Sequence, residues 1–170
     1  MILAALALAL LAPATLAGPA EGADRSPARD DPAIELVLDA IRVVETGGEP
    51  NGGRDATGDR GRSIGPYQIQ RAYWIDSGVA GRWEDCRDVE YARRVVKAYW
   101  QRYCPRALAQ ADLEVLARVH NGGLSGHRKA GTLGYWRKVE LELEQMQLRA
   151  LARADGARAP AVRRPVATVR

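Results

Sequence analysis

Cysteine and histidine are scarce in this 170-residue chain, with two of each. Two cysteines, Cys86 and Cys104, permit one bridge at most, so the fold has to rest on its packed core rather than on cross-links. The two histidines, His120 and His127, stand seven residues apart. That is not the spacing of a zinc-binding helix, and no metal site is expected. The chain also lacks a Rossmann or Walker glycine pattern and any internal repeat. Nor is there a long apolar run. The uncharged first twenty residues hold one from Ile2 to Leu11, too short to cross a bilayer.

What is present divides the chain into four parts. The apolar run, followed by small residues near Ala17 and Ala20, has the shape of a signal peptide over residues 1–20, although the usual basic start is missing. It predicts a secreted or periplasmic protein. Residues 21–30 mix Gly, Pro, Ser and charges without periodicity and read as a linker. Residues 31–154 form one compact domain, since 170 residues with 46% hydrophobic content suffice for a single core and are short for two. Residues 155–170 form a basic tail, expected to be disordered. Its arginines, Arg158, Arg163, Arg164 and Arg170, equal the whole formal net charge of +4. Such a tail suits anionic wall polymers or a membrane surface, or serves only to solubilise the end of the chain; no nucleic-acid partner is expected.

Within the domain, Ile34, Val37, Leu38, Ile41 and Val44 recur at helical spacing and define one buried face. Asp31 is placed to cap this helix, Pro32 fits its first turn, and Gly47 and Gly48 stop it. Glu45 therefore sits in the last turn, where the negative end of the helix dipole and partial burial both disfavour its ionised form. A carboxyl kept protonated in this way can give a proton to a leaving oxygen. Fourteen residues later, across a Gly-rich stretch, stands Asp59, the candidate ionised partner in a more solvated site. Taken alone, a glutamate before Gly-Gly is usually only a solvated helix end.

Further helices are predicted from near Asp88 to before Pro105, presenting Ala92, Val95, Val96, Tyr99 and Tyr103 to a core. Asp112 caps another over Leu113 to His120, and Thr132 a long one through Leu151. The only strands expected are short ones around Thr57 to Ile69. The exported context makes Cys86 and Cys104 a candidate disulfide, which requires the chain to fold back beside the helix between them. Two unpaired structural thiols are the alternative.

The run SIGPYQIQRAYWIDSG from Ser63 to Gly78 resembles the segment that follows the second carboxylate in invertebrate-type (destabilase-type) lysozymes. The stretches YWQRY from Tyr99, ARVHNGG from Ala117 and TLGYWRKV from Thr132 match in the same order, so the resemblance covers roughly Ala33 to Val139. It implies an α+β, mostly helical, lysozyme-like fold with a small β-region beside the active-site cleft. It also implies cleavage of the β-1,4 bond between N-acetylmuramic acid and N-acetylglucosamine of peptidoglycan. Glu45 matches the family's acid and Asp59 its second carboxylate, preferred over Asp55 because it lies nearer the GPYQI anchor. Animal members are rich in cysteine, whereas this chain looks like a cysteine-poor, bacterial-style branch. Some relatives also show an isopeptidase activity attributed to a serine near the second carboxylate. Here Arg62 occupies the position counted forward from Asp59, and Ser63 lies one further on.

Around these carboxylates the sequence offers a second group of candidates. Tyr67 and Gln68 follow a Gly65-Pro66 turn that brings backbone close to a bound sugar, and Tyr67 is equally readable as a core ring. His120 and Asn121 end a helix before glycines, either reaching substrate and Glu45 or simply capping the helix. Of Tyr135 and Trp136, one is placed to stack on a pyranose while the other packs inside. Trp74, Trp83 and Trp100 read as structural. Three functions fit, in descending order: a muramidase working with two carboxylates and no cofactor, a lytic transglycosylase working with one, and a peptidoglycan-binding protein without chemistry.

Overall fold

The computed structural model describes residues 31–158. The leader and linker expected over residues 1–30, and the tail beyond Arg158, lie outside the described residues. Helix α1 spans Pro32–Thr46, and the Asp31 carboxylate accepts a hydrogen bond from the Ala33 amide while Gly47 closes the helix in the left-handed region at φ 64°. Its apolar stripe of Ile34, Val37, Leu38 and Ile41 is wholly buried. Each such side chain contributes about 1.5–3 kcal/mol through burial, so the stripe dominates any surface contact. On its outer side, Glu35 and Asp39 pair with Arg93.

Three two-residue strands follow, β1 (Thr57–Gly58), β2 (Ser63–Ile64) and β3 (Ile69–Gln70), forming an antiparallel sheet in chain order. Thr57 faces Ile64, which in turn faces Ile69. The β2–β3 turn needs glycine at Gly65: its φ is +72°, and a Cβ there would meet the Cys86 carbonyl oxygen at 2.2 Å. The small β-region is thus pinned against the segment that leads into the next long helix.

Five more helices enclose it: α2 (Arg71–Ser77), α3 (Val89–Tyr103), α4 (Pro105–Ala109), α5 (Leu113–Gly122) and α6 (Leu133–Arg158). The Asp88 and Asp112 carboxylates cap α3 and α5 by accepting from the amides of Tyr91 and Val115. Helices α1, α5 and α6 pack on one another, and α2 lies on α3. Helix α6 begins where the sequence predicts, but Thr132 does not cap it. The Thr132 hydroxyl points back to the Gly126 and Lys129 carbonyls, closing the preceding turn. Helix α6 also continues to Arg158, into the segment expected as tail.

The candidate disulfide does not form; Cys86 and Cys104 are both free. The reason is geometric. Cys86 precedes α3 and Cys104 closes its far end, so a helix roughly 22 Å long separates them and the chain does not fold back. Burial pushes each thiol up to about 12. Both stay protonated and inert near neutrality.

Candidate active site

The end of α1, the β-region, α2 and the end of α5 surround an open cleft of about 630 Å³. Glu45 enters it from the last turn of α1, with its side chain only 18% exposed. Burial raises its pKa and the charge of Asp59 raises it further, whereas a hydrogen bond from Tyr135 and the charge of Lys138 act the other way. Burial prevails, so Glu45 holds its proton above the ordinary range for glutamate.

Asp59 lines the same cleft but is exposed. It stands just after β1 in a tight turn where Asp59 and Arg60 both have left-handed φ, 51° and 60°. Such angles cost non-glycine residues free energy, on the order of 1–3 kcal/mol each, and the turn persists because its neighbours hold it. The Gln70 amide donates to Asp59 Oδ2 at 2.8 Å, and Arg62 Nε donates to the Asp59 carbonyl at 3.0 Å. At Gly58 a Cβ would meet Gln68 Oε1 at 2.4 Å and Ser63 Oγ at 2.7 Å, so a side chain there would displace the Ser63–Gln68 pair. Asp55 lies outside the cleft and accepts a hydrogen bond from Asn51 at 2.9 Å.

The cleft thus brings Glu45 and Asp59 together with Gln68, His120 and Asn121, as the sequence suggests. His120 is 8% exposed, and burial lowers its pKa to about 4. Its Nε2 is 3.7 Å from Glu45 Oε1, but a neutral imidazole at that distance is no charge partner. Its Nδ1 lies 3.3 Å from the Tyr73 hydroxyl. Ser63 also lines the cleft, and its hydroxyl donates to Gln68 Oε1 at 3.0 Å. An amide oxygen is not a base, so this contact does nothing to make Ser63 a nucleophile.

Three candidates belong elsewhere. Tyr67 is a core ring with no exposed surface, so its side chain does not reach a sugar in the cleft. Trp136 packs against the core, and neither it nor Tyr135 lines the cleft. Tyr135 instead donates its hydroxyl to Glu45 Oε1 at 2.7 Å. The aromatic wall comes from Tyr73 of α2 and Tyr99 of α3, stacked with centroids 3.8 Å apart and planes 14° apart. Tyr99 belongs to the core, as its helical spacing predicts, and also borders the cleft, whereas Tyr73 is a cleft residue that no sequence pattern marks. Gln70, Asp76 and Lys129 were also missed. For Gln70 a signal existed, because strand alternation turns it to the face opposite the buried Ile69.

A family model described as Destabilase matches residues 41–141. Lysozyme 1 of Crassostrea virginica is 42% identical over 108 residues, covering 62% of this chain and 57% of that protein. The chain therefore spans less than two thirds of that relative's length. Invertebrate-type lysozyme of Ruditapes philippinarum is 36% identical over 100 residues, covering 57% of this chain and 72% of the relative. The crystal structure of Tapes japonica lysozyme superposes with a TM-score of 0.53 at 32% identity, covering 62% of this chain and 86% of that one.

Proposed function

The chain belongs to the destabilase family, and from that premise we propose that it is a peptidoglycan hydrolase, an N-acetylmuramidase working with two carboxylates. The observation that carries this reading is the unequal environment of the pair in one cleft. Glu45 is enclosed and biased to keep its proton, whereas Asp59 is exposed and held by an amide donor. The enclosed carboxyl is suited to give a proton, and the exposed one to face charge that develops on the sugar. In the reaction Glu45 protonates the glycosidic oxygen as the bond to the anomeric carbon breaks. Asp59 faces the positive charge that develops on the sugar, either stabilising it or attacking that carbon. A water then adds to the anomeric carbon, displacing Asp59 where it has bonded and returning a proton to Glu45. Neither step requires a cofactor.

Tyr73, backed by the buried Tyr99 ring, gives the cleft an apolar contact for a sugar ring, and Gln68 and Asn121 supply polar contacts beside it. The polymer substrate lies outside the cytoplasm, which agrees with the signal-like start of the chain. No helix among the described residues is long and apolar enough to cross a membrane. The arginines of the tail supply a charge complement to anionic wall polymers or membrane surfaces.

The test is digestion of purified peptidoglycan followed by mass analysis of the fragments. Muropeptides with free reducing ends support the hydrolase. Anhydro ends would indicate a lytic transglycosylase, and undigested wall would indicate a protein that only binds.

A further inference from the structure

We propose that Tyr135 is a positioning residue for the Glu45 acid, its hydroxyl holding Oε1 so that Oε2 carries the proton toward substrate. The inference rests on the muramidase reading for its consequence in catalysis, but its core statement concerns one carboxyl group and one phenol. Tyr135 lies in the first turn of α6, and the Glu45 end of α1 packs against that helix. The contact spans ninety residues of sequence and measures 2.7 Å. His120 Nε2 approaches the same oxygen, at 3.7 Å. Both neighbours therefore crowd Oε1, while the carboxyl as a whole lines the cleft.

The proton balance gives this arrangement a purpose. As the bond from the anomeric carbon to the glycosidic oxygen breaks, its electron pair goes to that oxygen, which takes the proton from Glu45 Oε2. The O–H electron pair stays on Glu45, and the new negative charge spreads onto Oε1. A hydrogen bond from Tyr135 is stronger to that charged oxygen than to the neutral acid. Tyr135 thus stabilises the carboxylate that proton transfer creates, an interaction that grows toward the transition state. The other groups facing Glu45 are Asp59 from the β-region, Lys138 from α6 and the neutral His120 from α5. Burial and Asp59 favour the protonated form, and Tyr135 and Lys138 oppose them. Tyr135 keeps the acid from becoming too weak to give its proton away.

A sugar-stacking role, which the sequence allows for either Tyr135 or Trp136, predicts a different result. Tyr135→Phe keeps the ring and removes only the hydroxyl. The full chain, labelled with ¹³C at the glutamate carboxyls, is titrated by NMR, with the Glu45 signal identified by its loss in Glu45→Gln. In Tyr135→Phe the Glu45 midpoint should rise by about one pH unit. The basic limb of the lytic pH profile should rise with it, and kcat should fall about tenfold with KM unchanged. Incorporation of 3-fluorotyrosine, a stronger donor of nearly the same size, should move the midpoint down and so guards against misfolding of the phenylalanine variant. A midpoint that stays put in both proteins would overturn the proposal. The titration reads Glu45 whether or not wall is cleaved, so failure of the muramidase reading is seen separately, as absent lysis.

Discussion

At the scale of the residue, environment separates groups that share a chemistry. Glu45 and Asp59 are both carboxylates, yet one is half-buried beside a phenol and the other is exposed. Glu45→Gln keeps an oxygen for Tyr135 to bond and removes the acidic proton. Lytic turnover should fall by roughly 10²- to 10⁴-fold while thermal unfolding stays near that of the parent, compared by calorimetry and lysis assays. His120 and Glu45 also link pH to stability with opposite signs. Burial lowers His120 to about 4, from the 6.5 usual for histidine, so the unfolded chain binds its proton first on acidification. The stability tied to neutral His120 is present above pH 6.5 and declines as pH falls toward 4, by on the order of 3 kcal/mol in all. Glu45, raised by burial, contributes stability that is full below its ordinary value and lost as pH rises through its folded value. Urea unfolding at a series of pH values should show the acid-side loss, and His120→Gln should flatten it. An unchanged slope in that variant would assign the loss to other groups.

At the scale of the element, the caps were legible and the cross-chain contacts were not. Asp31, Asp88 and Asp112 mark the starts of α1, α3 and α5 because a short carboxylate beside the first turn satisfies an otherwise orphaned amide. Gly47 ends α1 for an equally local reason. The pairing of Tyr135 with Glu45, and the stacking of Tyr73 on Tyr99, depend on how distant helices meet, which no local pattern encodes. Thr132 misled because a hydroxyl can serve either the turn behind it or the helix ahead of it. Tyr67 left the sequence ambiguous between sugar and core, and tertiary packing decided for the core. The choice between Asp55 and Asp59 belongs to this scale too, because the strained turn after β1 delivers Asp59 to the cleft and leaves Asp55 with Asn51. Asp59→Asn should lower kcat by at least tenfold with little change in KM, and Asp55→Asn should leave both near the parent values. The opposite ranking in steady-state kinetics would move the second carboxylate four residues upstream.

At the scale of the whole molecule, a helical core does what cross-links do in small exported scaffolds. Both cysteines are free, and the buried stripe of α1 packed on α5 and α6 holds the base of the cleft. Those helices fix Glu45, and the small sheet brings Asp59 to it. The central claim is that this shared cleft hydrolyses the glycan rather than only binding it or closing it into an anhydro sugar. The most direct measurement is digestion of purified peptidoglycan in ¹⁸O-labelled water, with mass spectrometry of the released muropeptides. The two-carboxylate account predicts one ¹⁸O atom at each new reducing end, and release by Glu45→Gln slowed by roughly a hundredfold or more. Unlabelled anhydro ends, or wall left intact by the parent protein, would contradict it.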